Sequence, residues 1–130
     1  MGKLGAFLKP VPAGKTKEIF LERFKDEEGN IVPIIVKSIS PRENEDITKR
    51  FTGKNGVLDA IEYGKHLIVA CVAEPNLKDA ELCKFYGVMD PADVPGVMFT
   101  IGEKQVIQDA ITEINDLKMA KSMMDEAKNS

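Results

Sequence analysis

The pattern of apolar and polar positions changes period several times along the chain, and each change predicts an element. Residues 17–24 and 31–39 are rich in Ile, Val and Phe, with the polar stretch Lys25-Asp26-Glu27-Glu28-Gly29-Asn30 between them. Two β-prone runs joined by a Gly-containing turn predict a β-hairpin. Pro33 cannot donate to a strand ladder, so its strand is expected at an edge or to start late. Ser40-Pro41-Arg42-Glu43 then marks a helix start: Ser caps, Pro fits the first helical position, and Glu three residues on completes a capping box. That helix is expected to run to about Phe51 and to end in the loop Thr52-Gly53-Lys54-Asn55-Gly56.

Residues 58–74 read as a central helix. Leu58, Ile61, Ile68 and Val72 share one face, and Leu67, Val69, Ala70 and Cys71 broaden the stripe until the second half is apolar nearly all round. Pro75 stops it. Asn76 and Asp90 are placed to start two further short helices, over 77–86 and 91–98, with Gly87 closing the first. A last helix starts near Gly102 and reaches toward Glu126, with Ile107, Ala110, Ile114, Leu117 and Met124 at three- and four-residue spacing. These elements predict an α+β fold that is mainly helical, an N-terminal β-hairpin followed by about five helices. Residues 1–16 carry Gly2, Gly5, Pro10, Pro12 and Gly14 and read as a flexible arm. Residues 17–130 read as a single domain with a long C-terminal helix.

Composition narrows the classes. A chain of 130 residues, 43% apolar and 30% charged, can bury a core and does not have the make-up of a disordered one. The net charge is −3, the isoelectric point is about 5.3, and the basic residues form no block, which argues against nucleic acid as a partner. No run approaches the roughly 18 to 20 apolar residues of a membrane span, and the first residues are too short and broken for a signal peptide. Ala6 stands where a myristoylation motif carries Ser or Thr. A cytoplasmic protein is therefore expected, and Cys71 and Cys83 read as buried free thiols.

The search for chemistry finds no constellation. His66 is the single histidine, and it sits beside an apolar helical run. His66, Cys71 and Cys83 lack the paired short spacings of a zinc site. The acidic residues at Glu43, Glu45, Asp46, Asp79 and Glu81 stand at predicted helix starts, where they offset the macrodipole. Gly53-Lys54-Asn55-Gly56 shares the composition of a phosphate loop but not its spacing. No catalytic residue, metal site or cofactor is expected, and the chain does not read as an enzyme.

Adaptable apolar side chains are the remaining candidates. Met side chains recur on surfaces that accept varied apolar partners. The residues assigned to partner contact on spacing are Val97, Met98, Phe99, Ile107, Ile111, Ile114, Met119 and Met123. Packing in the protein's own core is the competing explanation for the same positions.

Pro75-Asn76-Leu77-Lys78-Asp79-Ala80-Glu81-Leu82, running into Phe85-Tyr86-Gly87-Val88-Met89, resembles the P-x-L-x-x-A-E-L…Y-G-V-M signature of the XkdN-like tail assembly chaperones of phages and prophages. Arg23-Phe24-Lys25-Asp26-Glu27-Glu28-Gly29-Asn30 with Ile39-Ser40 is similar to the N-terminal pattern of that family, as are Gly102-Glu103 and Ile111-Thr112-Glu113-Ile114-Asn115 to later segments. The chain departs from the family where Ile34 replaces a frequent Trp and where Pro95-Gly96 interrupts a usual helical stretch, so a shortened or broken helix is expected there. The resemblance implies a protein of the bacterial host cytoplasm that binds the tape measure protein and keeps it soluble during tail assembly. It implies the tail tube protein as a second candidate partner, absence from the mature virion, and room for homo-oligomers. A structural tail or connector component of the virion is the alternative.

Overall fold

The structure is a computed structural model that describes residues 3–10 and 14–117. After an exposed 3-10 turn over Leu4–Phe7 come strand β1 (Thr16–Ile19), strand β2 (Ile34–Lys37), helix α1 (Pro41–Arg50), helix α2 (Ala60–Cys71) and strand β3 (Val72–Glu74). Helix α3 (Ala80–Tyr86), a 3-10 turn at Pro91–Asp93, helix α4 (Val94–Met98) and helix α5 (Ile101–Ile114) follow. This is the α+β architecture expected, strands first and helices after.

The hairpin forms where the alternation predicts it, but its strands are shorter. β1 pairs antiparallel with β2, Thr16 opposite Lys37 and Ile19 opposite Ile34. Pro33 ends just before β2, so the strand does start late. Below the ladder the hairpin is held by a single Lys25–Ile31 bridge and by the Asp26 turn, whose carboxylate accepts from the amides of Glu28 and Asn30.

The sheet has a third strand that the apolar pattern hides. β3 pairs antiparallel with β2, placing β2 at the centre. The run that reads as one helix to residue 74 is helix only to Cys71, and Val72 caps it in extended conformation. Pro75 contributes by pushing Glu74 out of the α region and by leaving no room above the Cys71 carbonyl. The remainder is tertiary: Val36 of β2 needs a pairing neighbour, and Val72 supplies it. The peptide bond between Glu74 and Pro75 is cis.

Local signals decide the helix ends. Ser40 Oγ accepts from the Glu43 amide at 3.1 Å and Glu43 Oε1 accepts from the Ser40 amide at 3.3 Å, the predicted capping box. Asp79, rather than Asn76, caps α3 by accepting from the amides of Glu81 and Leu82. Gly87 closes α3 at φ 69°, a conformation that favours glycine. The stretch over 91–98 is divided into the 3-10 turn and a short α4, but the division falls between Asp93 and Val94; Pro95 sits in the first turn of α4, where a proline is tolerated, and Gly96 lies within it. Thr100 and Glu103 form a second capping box that starts α5.

One face of α5 packs on β1 and β2, and α2 packs against α5 and β3. The core lies between them: Ile19, Ile34 and Val36 from the sheet, Ile68 and Cys71 from α2, and Ile107, Ala110 and Ile111 from α5. Leu77, Val94, Met98 and Phe99 close it from the connecting segments. Cys71 and Cys83 are both buried and free, and burial pushes the Cys71 thiol up to about 11.

Candidate partner-binding surface

Helix α5 governs which apolar residues are available to a partner, because both of its ends are fixed. At the start, Arg23 from the hairpin grips Glu103 with two bonds, Nε to Oε2 at 2.9 Å and Nη2 to Oε1 at 2.6 Å. The same guanidinium donates to the Met98 carbonyl at 2.7 Å and lies 4.8 Å from the Phe24 ring centre. Phe24 in turn meets Phe99 edge to face. Arg23 and the Thr100 amide hold the Glu103 carboxyl at about 2, well below the usual carboxylate range.

At the other end, the Asn115 side chain accepts from the Ile39 amide at 3.0 Å and donates to the Ile111 carbonyl at 2.9 Å. Asp116 follows at φ 59°. Helix α5 ends at Ile114, where Asn115 turns its side chain back onto the last turn and ties it to Ile39, just past β2; the part of the helix expected beyond residue 117 lies outside the described residues. Lys17 of β1 reaches Glu113, and Lys15, just before that strand, reaches Asp116.

With α5 fixed, the residues assigned to partner contact separate. Met98, Phe99, Ile107 and Ile111 come together in the core, Ile107 with 0% of its surface exposed. Ile114 is half-buried at the edge of that core. Val97 alone among the described ones faces solvent, at 54%. Met119 and Met123 lie outside the described residues. Core packing thus accounts for the even spacing of the α5 stripe. A partner would have to open the domain to touch those four.

Sequence reasoning missed the apolar side chains that do face outward beside them. Ile61 is 74% exposed at the start of α2, and Ile101, the first residue of α5, is 92% exposed. The signal for Ile101 is present in the sequence, since the Thr100-x-x-Glu103 capping box places it before the first buried turn. For Ile61 there is none, because its spacing from Leu58 and Ile68 matches a core stripe. A hollow of about 320 Å³ lies between α2, the segment leading into α4, and α5, lined by Ala60, Ile61, Gly64, Lys65 and Ile68 on one side and by Ala92, Asp93, Pro95, Gly96, Lys104 and Gln108 on the other. A second apolar surface surrounds Phe85 on α3, 81% exposed, and Met89 just after that helix.

No catalytic arrangement accompanies either surface. The His66 ring lies against Phe51, with Nδ1 2.9 Å from the Glu62 carbonyl. Among the described residues, no group of three or more His, Cys, Asp and Glu side chains is placed to hold a metal ion. No described helix is long and apolar enough to cross a membrane.

The described residues form a small α+β fold with several outward apolar side chains, and comparison with known proteins gives its family. Residues 4–128 match the phage XkdN-like tail assembly chaperone family, and the chain belongs to it. The chain is similar to the uncharacterized protein YqbN of Bacillus subtilis (strain 168), 30% identical over 89 residues that make up 62% of this chain and 60% of that protein. It is also similar to the phage-like element PBSX protein XkdN of the same organism, 25% identical over 102 residues, 72% of this chain and 69% of the other. The crystal structure of YqbN has the same fold, with a TM-score of 0.73 at 29% identity, covering 85% of this chain and 94% of that one.

The segments that carry the family resemblance meet in space. Arg23 of the hairpin pairs with Glu103, and Asn115 spans from α5 to Ile39. Tyr86 and Val88 pack against the core, while Phe85 and Met89 in the same run point outward. Most of the signature therefore builds the domain.

Proposed function

We propose that this protein binds the tape measure protein of its phage or prophage in the bacterial host cytoplasm and keeps it soluble until the tail tube is assembled around it. The match to tail assembly chaperones over nearly the whole chain carries this reading. The physics agrees with it: a long helical protein exposes apolar stripes that aggregate, and a small acidic domain with exposed Ile, Val and Phe side chains can cover them. Many weak copies along one long partner act together, so each contact need not be tight. The tail tube protein is a second partner under this reading, and the chaperone leaves before the virion is complete.

The test is co-expression of the tape measure protein with and without this chain, followed by separation of soluble and pelleted material. The chaperone reading expects the tape measure protein in the soluble fraction, co-purifying with this chain, only when both are made. A tape measure protein that pellets equally in both cases contradicts it. Mass spectrometry of purified particles separates the structural alternative, which requires this chain in stoichiometric amount.

A further inference from the structure

We infer that the hollow between α2, α4 and α5 is the docking groove, and that its occupant is an amphipathic helix of the partner whose apolar stripe is flanked by a carboxylate. The inference rests on the chaperone reading for the partner's identity, but the groove's chemistry is read from its own residues. Two helices form its walls, so the space is shaped for a third, which packs at about 8 to 10 Å between axes. Where side chains would fill such a space, this floor carries glycines: a Cβ added at Gly64 or at Gly96 meets nothing within 4 Å. A partner side chain can therefore reach the backbone. Ile61 lines the hollow from α2, and Ile101, exposed one turn before the lining residue Lys104, extends the same face of α5 beyond it. Val97, next to Gly96, adds a third exposed apolar side chain. Anchors spaced across a groove are how helical segments are gripped.

Charge selects among apolar helices. Lys65 is already satisfied, bonded to Glu62 at 3.2 Å and 3.7 Å from Asp93, and it fastens α2 to the turn before α4. Lys104 is different: it is half-buried, lines the groove, and has no ionic partner among the described residues. The hollow's own carboxylate, Asp93, faces Lys65, so the ammonium of Lys104, unpaired among the described residues, favours a carboxylate on whatever enters. The α3 surface around Phe85 has the opposite character, with Glu74, Asp79 and Glu81 at its edge, and would repel the same segment.

The test uses the full chain and two probes. The first is the co-expressed tape measure protein; the second is a synthetic helical peptide with Leu at i, i+3, i+4 and i+7, made with flanking Glu or with flanking Lys. Ile61→Asp and Ile101→Asp change exposed positions, so unchanged thermal unfolding shows that they fold. The groove predicts at least about a tenfold loss of binding for both variants, with the tape measure protein and with the Glu peptide, and little change for Phe85→Asp. It predicts that the wild type prefers the Glu peptide and that Lys104→Glu reverses the preference. Gly64→Ala should weaken binding by filling the floor. Retention of the tape measure protein by both Asp variants overturns the groove while leaving the chaperone reading intact. Loss in Phe85→Asp alone moves the site to α3, and occupation of the groove by a second copy of this chain, seen as a dimer broken by Ile101→Asp, also overturns it. If the wild type fails to retain the tape measure protein, the chaperone reading falls, and the peptide preference decides the groove by itself.

Discussion

The inner and outer apolar residues of α4 and α5 are nearly alike in composition and opposite in fate. Met98, Phe99, Ile107 and Ile111 are buried in the core, whereas Val97 and Ile101 face water. A helix shows its apolar residues to both sides when its two ends are fixed, and here Arg23 and Asn115 fix them. The difference teaches that the regular stripe of α5 marks the core and leaves Ile101 over, whereas on α2 Ile61 keeps the spacing of a core stripe and still faces water. Burial of the first set is what holds the second in place.

Substitutions can pull this comparison apart. The largest effect belongs to Ile107→Ala, which removes a side chain with no exposed surface and should cost about 2 to 5 kcal/mol in chemical denaturation. A cost below about 1 kcal/mol would mean that the inner face is not the core. Asn115→Ala comes next. It strands the Ile39 amide and frees the end of α5, and a loss of roughly 1 to 3 kcal/mol is expected, with faster amide exchange at Ile39.

On the outer side the signs change. Gly64 lies in the middle of α2 and an added methyl meets nothing, so Gly64→Ala should stabilise the fold by about 0.5 to 1 kcal/mol. A destabilised Gly64→Ala protein would show that the groove floor is already occupied. The smallest effect is a pH dependence. The Glu103 carboxyl is held at about 2, against an ordinary value of 4.5, chiefly by Arg23. Its contribution is therefore fully present above the ordinary carboxylate range and is lost as pH falls from there toward 2. Melting temperatures of the wild type and Glu103→Gln should differ by a constant amount above about pH 5 and converge on acidification. A gap that persists at pH 2 would remove the ion pair from the account.

The fold was largely legible because its local signals are strong. Ser40 to Glu43 and Gly87 each perform the local task their residue types suggest, whereas Pro95-Gly96 lies inside α4 and the division of that stretch falls before it. Strand β3 was not legible, because Val72 serves a helix stripe and a strand equally well and only its pairing with Val36 decides. The end of α5 was hidden in the same way, since the bond from Ile39 to Asn115 joins residues far apart in sequence. The candidate surface was legible as a neighbourhood and not as a residue set: Val97 is outside, while its neighbours Met98 and Phe99 turn inward. Spacing reports which residues share a face, and a helix gripped from two sides has two faces to offer.

The most direct measurement is amide hydrogen exchange on the full chain, free and with the co-expressed tape measure protein bound. The account predicts slower exchange in the first turns of α2 and α5 and in α4, with the β-sheet and the Phe85 surface unchanged. Protection confined to α3, or faster exchange of the amides around Ile107 and Ile111 as the core opens to admit the partner, would contradict it.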